Sequence, residues 1–148
     1  MLRAIIIDNE EIPMKYLEQL LHDTNAVKVI GRYTKGSKAI HEIEQFNPDL
    51  IFLDSIILGE SGIEVAKNIK ALLPKSKIVF VTAYEKFAIK AFEIGVTDYI
   101  LKPFKKERID LLIDRILDTE NRKVEKDVYT VCSFNYFHFK KMVRKLKM

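Results

Sequence analysis

Cysteine is almost absent from this chain of 148 residues, with Cys132 its only example. A lone thiol excludes an internal disulfide framework and any zinc site built on several cysteines, and it points to a reducing, cytoplasmic setting. Long apolar runs are missing too. None nears the ~18–20 residues that a membrane-crossing helix needs, so no membrane association is expected. The opening residues, Met1 to Asp8, lack the extended apolar stretch and small-residue cleavage site of a signal peptide. Glycine is sparse, at positions 31, 36, 59, 62 and 95. Scattered in this way, the glycines form neither a phosphate-binding P-loop nor a dinucleotide fingerprint. His22, His41 and His138 stand apart from one another and read as surface residues. No internal repeat or low-complexity tract is visible.

What is present divides unevenly. The formal net charge is +4. Residues 1–120 hold 17 basic against 19 acidic side chains, a net of −2, and residues 121–148 hold 8 against 2, a net of +6. The body is therefore mildly acidic, which argues against a nucleic-acid surface spread over it. The length suits one domain with a real core and is too short for two full ones. Its end is expected near Glu120, followed by a polar linker over 121–127.

Within the body, strand and helix patterns alternate. Ala4-Ile5-Ile6-Ile7, Leu50-Ile51-Phe52-Leu53, Ile78-Val79-Phe80-Val81 and Tyr99-Ile100-Leu101 are short apolar runs, as suits strands covered on both faces. Val27 to Tyr33 is a fifth, less pure strand. Between them lie helical stripes: Tyr16, Leu17, Leu20 and Leu21; Ala39, Ile40 and Ile43; Val65, Ala66, Ile69 and Leu72; Phe87, Ala88, Ala91 and Phe92; and Ile109, Leu112, Ile113, Ile116 and Leu117. Ser61-Gly62-Ile63-Glu64 reads as a capping box. Five strand–helix units in strict alternation imply an α/β fold with a parallel sheet and helices on both faces.

Four of these strands end on a polar or ionisable residue: Asp8, Asp54, Thr82 and Lys102. Ligands of open parallel sheets bind outside the carboxyl ends of the strands, so these four groups are expected to converge. Two carboxylates with nearby backbone oxygens suit Mg²⁺. A lysine and a hydroxyl suit phosphoryl oxygens, and a carboxylate can itself be the nucleophile in phosphoryl transfer. Asp54, at the end of a central strand, is the best candidate for that role. Each residue also has a purely structural reading. Thr82-Ala83-Tyr84-Glu85 fits a capping box, Asp54 could cap the turn after its strand, Asp8-Asn9 could cap the first helix, and Lys102-Pro103 could be a solvated turn. The recurrence at four strand ends favours the shared site.

The motifs Ile6-Ile7-Asp8-Asn9-Glu10, Asp49 to Asp54, Gly59-Glu60-Ser61-Gly62, Val81-Thr82-Ala83 and Asp98 to Phe104 resemble, in order and spacing, the receiver domain of bacterial two-component response regulators over residues 3–118. The stretch from Thr82 to Glu93 looks most like receivers attached to transcriptional output domains. The resemblance implies a three-layer, flavodoxin-like (βα)5 fold with strand order 2-1-3-4-5, and a signal-transduction switch. Asp54 would accept a phosphoryl group from the phosphohistidine of a sensor histidine kinase, and Lys102 would pair with it. Thr82 would bond the phosphoryl oxygen, and Tyr99 would change rotamer with Thr82. Mg²⁺ would be held by Asp8, Asn9, Asp54 and the Ile56 carbonyl, and the Lys102-Pro103 bond would be cis. The resemblance further implies a phosphoacceptor signalling domain rather than a turnover enzyme, with a possible homodimer through residues 85–118 and DNA contact only through a missing output domain.

Two positions depart from the family's usual pattern. Asn9 stands where a second acid is usual, which removes one negative charge; Glu10 is acidic, but a shift would be needed to aim it inward. Leu58 stands where a proline is usual. Both departures motivate a rival reading, a pseudo-receiver that binds proteins without phosphorylation. A small-molecule hydrolase is a second rival, but no histidine stands at a strand end to serve it as a base. The tail, residues 121–148, carries an aromatic, β-prone stretch from Val128 to Phe139 and five basic side chains from Lys140 to Lys147. It reads as the stub of an output domain or a strand packed on the body, with an electrostatic arm for nucleic acid as the sharper alternative.

Overall fold

The computed structural model describes residues 1–121. Asn121, expected to open the linker, is instead the last residue of the final helix; the rest of the expected linker and the tail, with Cys132 and His138, lie outside the described residues. The elements run β1 (Leu2–Ile7), α1 (Glu11–Asp23), β2 (Val27–Tyr33), α2 (Gly36–Phe46), β3 (Leu50–Leu53), β4 (Ile56–Ile57), β5 (Glu60–Ser61), α3 (Gly62–Leu72), β6 (Lys77–Thr82), α4 (Ala88–Glu93), β7 (Asp98–Leu101) and α5 (Lys106–Asn121). Five of the strands form one parallel sheet in the order β2-β1-β3-β6-β7. In sequence order of these five, that is the expected 2-1-3-4-5. The remaining two, β4 and β5, pair antiparallel as a two-residue hairpin that the sequence did not suggest.

The apolar runs are strands because both faces of the sheet are covered. Side chains alternate across a strand, and the two sets enter different cores. Ala4, Ile6, Leu50, Phe52, Val79, Val81 and Ile100 pack with α1 and α5. Ile5, Ile7, Ile51, Leu53, Ile78, Phe80 and Tyr99 pack with α2, α3 and α4. Each large aliphatic withdrawn from water in this way contributes about 1.5–3 kcal/mol. Two residues of the expected stripes prove to be exposed instead: Tyr16 at 46% and Leu72 at 39%. Tyr16 lies at the edge of its helix face, its ring 5.5 Å from that of Phe104.

The structure corrects the expected cap at Ser61 and decides against the cap alternatives for Thr82 and Asp8. Ser61 precedes α3 but makes no side-chain cap; it is held extended as part of β5 opposite Ile56. The amide of Gly62 donates to the Ser55 carbonyl at 2.8 Å. No helix follows Thr82 directly, since α4 starts only at Ala88. The Thr82 hydroxyl accepts the Tyr84 amide in a tight turn. At α1, the N-cap residue is Glu10, again without a side-chain cap, because the Asp8 carboxylate is engaged by Lys102 and by the Glu10 amide.

Candidate functional site

The chain crosses from one side of the sheet to the other between β1 and β3, which are neighbours. Asp8 follows β1 and Asp54 follows β3, so the crevice at this switch point is flanked by two carboxylates. The backbone of each site residue is tied to the strand beside it. Asp8 donates its amide to Tyr33, Asp54 to Ile7 and Lys102 to Thr82, at 3.0, 3.1 and 2.8 Å. The Lys102–Pro103 bond is cis.

Three of the four strand-end residues meet directly. The Lys102 ammonium donates to Asp8 Oδ2 at 2.7 Å and to Asp54 Oδ2 at 3.1 Å. Both carboxylates are buried. Asp8 Oδ1 accepts the Glu10 amide at 2.9 Å. Asp54 Oδ1 has only a long contact, 3.4 Å, with the Ile56 amide, well beyond the usual N–H···O distance. That oxygen keeps most of its bonding capacity. The cap role considered for Asp54 is thus present but weak.

Charge and burial oppose each other here. Desolvation raises the Asp8 carboxyl above its ordinary range, against the Lys102 and Glu10 hydrogen bonds, and the nearby Asp54 charge adds to the rise. Lys102 is half-buried, which lowers its affinity for the proton, but its bonds to Asp8 and the charge of Asp54 outweigh that and hold it above its ordinary value. Two carboxylates share that one ammonium, so the trio keeps a net negative charge. The cluster therefore strongly favours a further positive charge.

Thr82 joins the site at one remove. It is fully buried, and its hydroxyl shares a 2.5 Å hydrogen bond with the Ser55 hydroxyl. Ser55, buried and next to Asp54, was not singled out from the sequence. Tyr99 is buried among the α2–α4 core, stacked on Phe80 at 5.7 Å, and its hydroxyl donates to the Tyr84 carbonyl. Burial is the first cause that holds this phenol well above its ordinary range. A chain of contacts thus leads from the Asp54 loop through Ser55 and Thr82 to the turn at Tyr84, where Tyr99 is anchored.

Two glutamates were also missed or misplaced by sequence reasoning. Glu60 Oε1 and Oε2 accept the amides of Gly36 and Ser37, both at 3.0 Å. A side chain from the hairpin after Asp54 thereby caps α2, whose own N-cap residue, Lys35, supplies no side-chain bond. Glu10 needs no shift to face the cluster: its Oε2 lies 3.9 Å from the Lys102 ammonium. Asn9 follows Asp8 at the rim, half-buried. Ile56 opens β4 two residues after Asp54.

The donor set consists of hard oxygens. Among the described residues, no three His, Cys, Asp or Glu side chains gather into a preformed cage. Mg²⁺ needs no such cage, since it binds through one or two carboxylates and keeps several waters. The Asp8 and Asp54 carboxylates fit that ion; Asn9 and Ile56 stand within two residues of them in the sequence. His22 and His41 sit at exposed positions of α1 and α2, so neither is placed to serve Asp54 as a base. No helix among the described residues is long and apolar enough to cross a membrane.

Comparison with known proteins agrees with this geometry. The family model for the response regulator receiver domain matches residues 4–114. Sensory transduction protein LytR of Staphylococcus epidermidis is 37% identical over 126 residues, covering 85% of this chain and 50% of that protein. Sensory transduction protein LytT of Bacillus subtilis is 37% identical over 128 residues, covering 86% and 51%. The chain thus spans about half the length of the curated relatives it matches. Among solved structures, the response regulatory domain of mrkE from Klebsiella pneumoniae superimposes with a TM-score of 0.76 at 29% identity, covering 82% of this chain and 99% of that one. The match of the family model and the kinship to these relatives show that this chain belongs to the receiver-domain family of two-component response regulators.

Proposed function

We propose that Asp54 is the phosphoacceptor of this receiver domain and takes its phosphoryl group from the phosphohistidine of a sensor histidine kinase. The observation that carries this is the placement of Asp54: a buried carboxylate at a strand end, one oxygen held by Lys102 at 3.1 Å and the other only loosely bonded. The loosely bonded Asp54 Oδ1 attacks phosphorus. The P–O bond forms as the P–N bond breaks, and its electron pair returns to the imidazole. Lys102 stays protonated throughout and neutralises charge on the transferring oxygens. Bound Mg²⁺, held by Asp8, Asn9, Asp54 and the Ile56 carbonyl, would supply a second positive charge to the same oxygens.

The bond between Thr82 and Ser55 is what a phosphoryl group on Asp54 would compete with. Drawing the Thr82 hydroxyl toward that group would loosen the Tyr84 turn and shift the population of Tyr99 rotamers. The affected surface would be α4, β7 and α5, where Ile89 and Leu111 are exposed. We assign the homodimer contact to this face, residues 85–118. DNA binding and transcriptional control would come through an output domain outside the described residues, and the setting would be cytoplasmic.

Intact-mass analysis after incubation with acetyl phosphate and Mg²⁺ tests the reading. The expected result is one phosphoryl adduct that vanishes in Asp54→Ala, with beryllofluoride shifting the sedimentation of the wild type. No adduct on a folded wild type, or an adduct that survives Asp54→Ala, would overturn it and favour a phosphorylation-independent binding module.

A further inference from the structure

The charge of the cluster leaves a deficit at its centre. Asp8, Asp54 and Lys102 together carry −1, which is half of what a divalent cation needs, and Asn9 adds nothing. We propose that Glu10 supplies the missing charge: it completes the cation site from outside the inner ligand set, facing the ion across a metal-bound water. The inference rests on the Mg²⁺-dependent phosphoacceptor reading above.

Three carboxylates already face one cation in this structure. The Lys102 ammonium is 2.7 Å from Asp8, 3.1 Å from Asp54 and 3.9 Å from Glu10. The first two are hydrogen bonds, and the third is the longer approach of a group that acts through space. The backbone of Glu10 is fixed, because its amide donates to Asp8 Oδ1. Its side chain is 60% exposed and makes its only ion pair among the described residues with Lys102. It can therefore turn toward a hydrated ion without breaking another contact. Mg²⁺ gives up its waters reluctantly, so a carboxylate on the water side of the pocket still contributes. The next acid along, Glu11, points elsewhere and pairs with Lys15 at 3.4 Å.

A competing role exists for the same side chain. Glu10 is the N-cap residue of α1, where a negative charge is favoured by the helix dipole. That role predicts a stability effect and no effect on metal affinity.

Calorimetric titration of the full chain with MgCl₂ separates the two, using wild type, Glu10→Gln, Glu11→Gln, Asn9→Asp and the double variant Asn9→Asp/Glu10→Gln. A unit charge facing a divalent ion in near-bulk dielectric changes affinity about tenfold. Glu10→Gln should therefore weaken Mg²⁺ binding about tenfold at low salt, with a smaller loss at high salt. Glu11→Gln should stay within about twofold of wild type by the same reasoning. Asn9→Asp should tighten binding, and Glu10→Gln should cost less in that background, because the restored acid carries the charge. Wild-type binding with Glu10→Gln unchanged overturns the Glu10 inference alone, as does an equal loss in Glu11→Gln. Absence of Mg²⁺ binding by the wild type overturns the metal reading and the inference together. Circular dichroism of each variant confirms that the fold is intact.

Discussion

Gly62 gives the sharpest test of how the Asp54 loop is held. A Cβ added at this position would lie 2.2 Å from the Asp54 carbonyl oxygen, 2.7 Å from Ser55 Cα and 2.9 Å from Ser55 C. All three atoms are backbone, so no side chain can rotate out of the way. Restoring even a 3.4 Å contact with the carbonyl means a displacement of 1.2 Å. The segment to be moved is pinned on both sides, by the Asp54 amide on Ile7 and by the Gly62 amide on Ser55. Overpacking of this kind costs about 1–3 kcal/mol. With a urea slope of ~1–3 kcal/mol/M, the unfolding midpoint of Gly62→Ala should fall by about 1 M while the protein stays folded. The larger effect should be chemical. A shift of ~1 Å in Asp54 relative to Lys102 is of the size that costs about a hundredfold in rate, read as slower growth of the phosphoryl adduct with acetyl phosphate. Gly59→Ala is the internal control. Gly59 has φ +70° and nothing within 4 Å of the added methyl, so it should lose ~1–2 kcal/mol from backbone strain and keep its adduct rate. A Gly62→Ala protein that is phosphorylated at the wild-type rate would show that the close approach of α3 does not position Asp54.

Glu60→Ala should cost ~1–2 kcal/mol, because it removes the cap of α2; hydrogen exchange at Gly36 and Ser37 should speed up, and unchanged protection there would refute the cap. Asp98 is buried with both Arg108 and Arg115 on it, so Asp98→Asn leaves two guanidinium groups short of their counter-charge. Because those arginines are partly exposed, the loss should be about 3 kcal/mol, the low end for a broken buried pair, and a urea midpoint within error of wild type would refute it. The raised Asp8 carboxyl means that the folded state holds this proton more tightly than the unfolded chain, so ionised Asp8 costs stability above its folded pKa and the cost disappears as pH falls toward the ordinary carboxylate range. Asp8→Asn should therefore raise the urea midpoint at pH 7 and lose that advantage near pH 3, while abolishing Mg²⁺ binding; a lower midpoint at pH 7 would contradict the desolvation argument.

The sequence announced most of the sheet because its signal is local. Apolar runs of three or four residues with no polar face are strands covered on both sides, and a polar residue at the end of each marks where the cover stops. Asp8, Asp54, Thr82 and Lys102 were readable on that ground. The β4–β5 hairpin was not, since two residues per strand carry no periodicity. Thr82 to Glu85 stayed open for a related reason: the same residue types serve a helix cap and a tight turn, and only the position of α4 decides. Ser55 and Glu60 stayed hidden because their partners, Thr82 and the α2 amides, lie 27 and about two dozen residues away.

Asp98 shows where such reading could have gone further. An acid that opens an apolar strand shares a face with the residue two positions on, here Ile100, whose face packs against α5. Arg108 and Arg115 are seven residues apart on α5, hence on one side of that helix. A lone inward carboxylate and two aligned guanidinium groups on the element that covers it form a pattern visible in the sequence once strand and helix are paired. The structure makes that pairing through both carboxylate oxygens of Asp98. The same carboxylate also accepts the Tyr99 amide at 2.7 Å. The residue that anchors α5 is thus bonded to the residue proposed to change rotamer. Motion at Tyr99 would be felt by α5 through the backbone as well as through packing, which gives the face formed by α4, β7 and α5 a physical reason to respond as one surface.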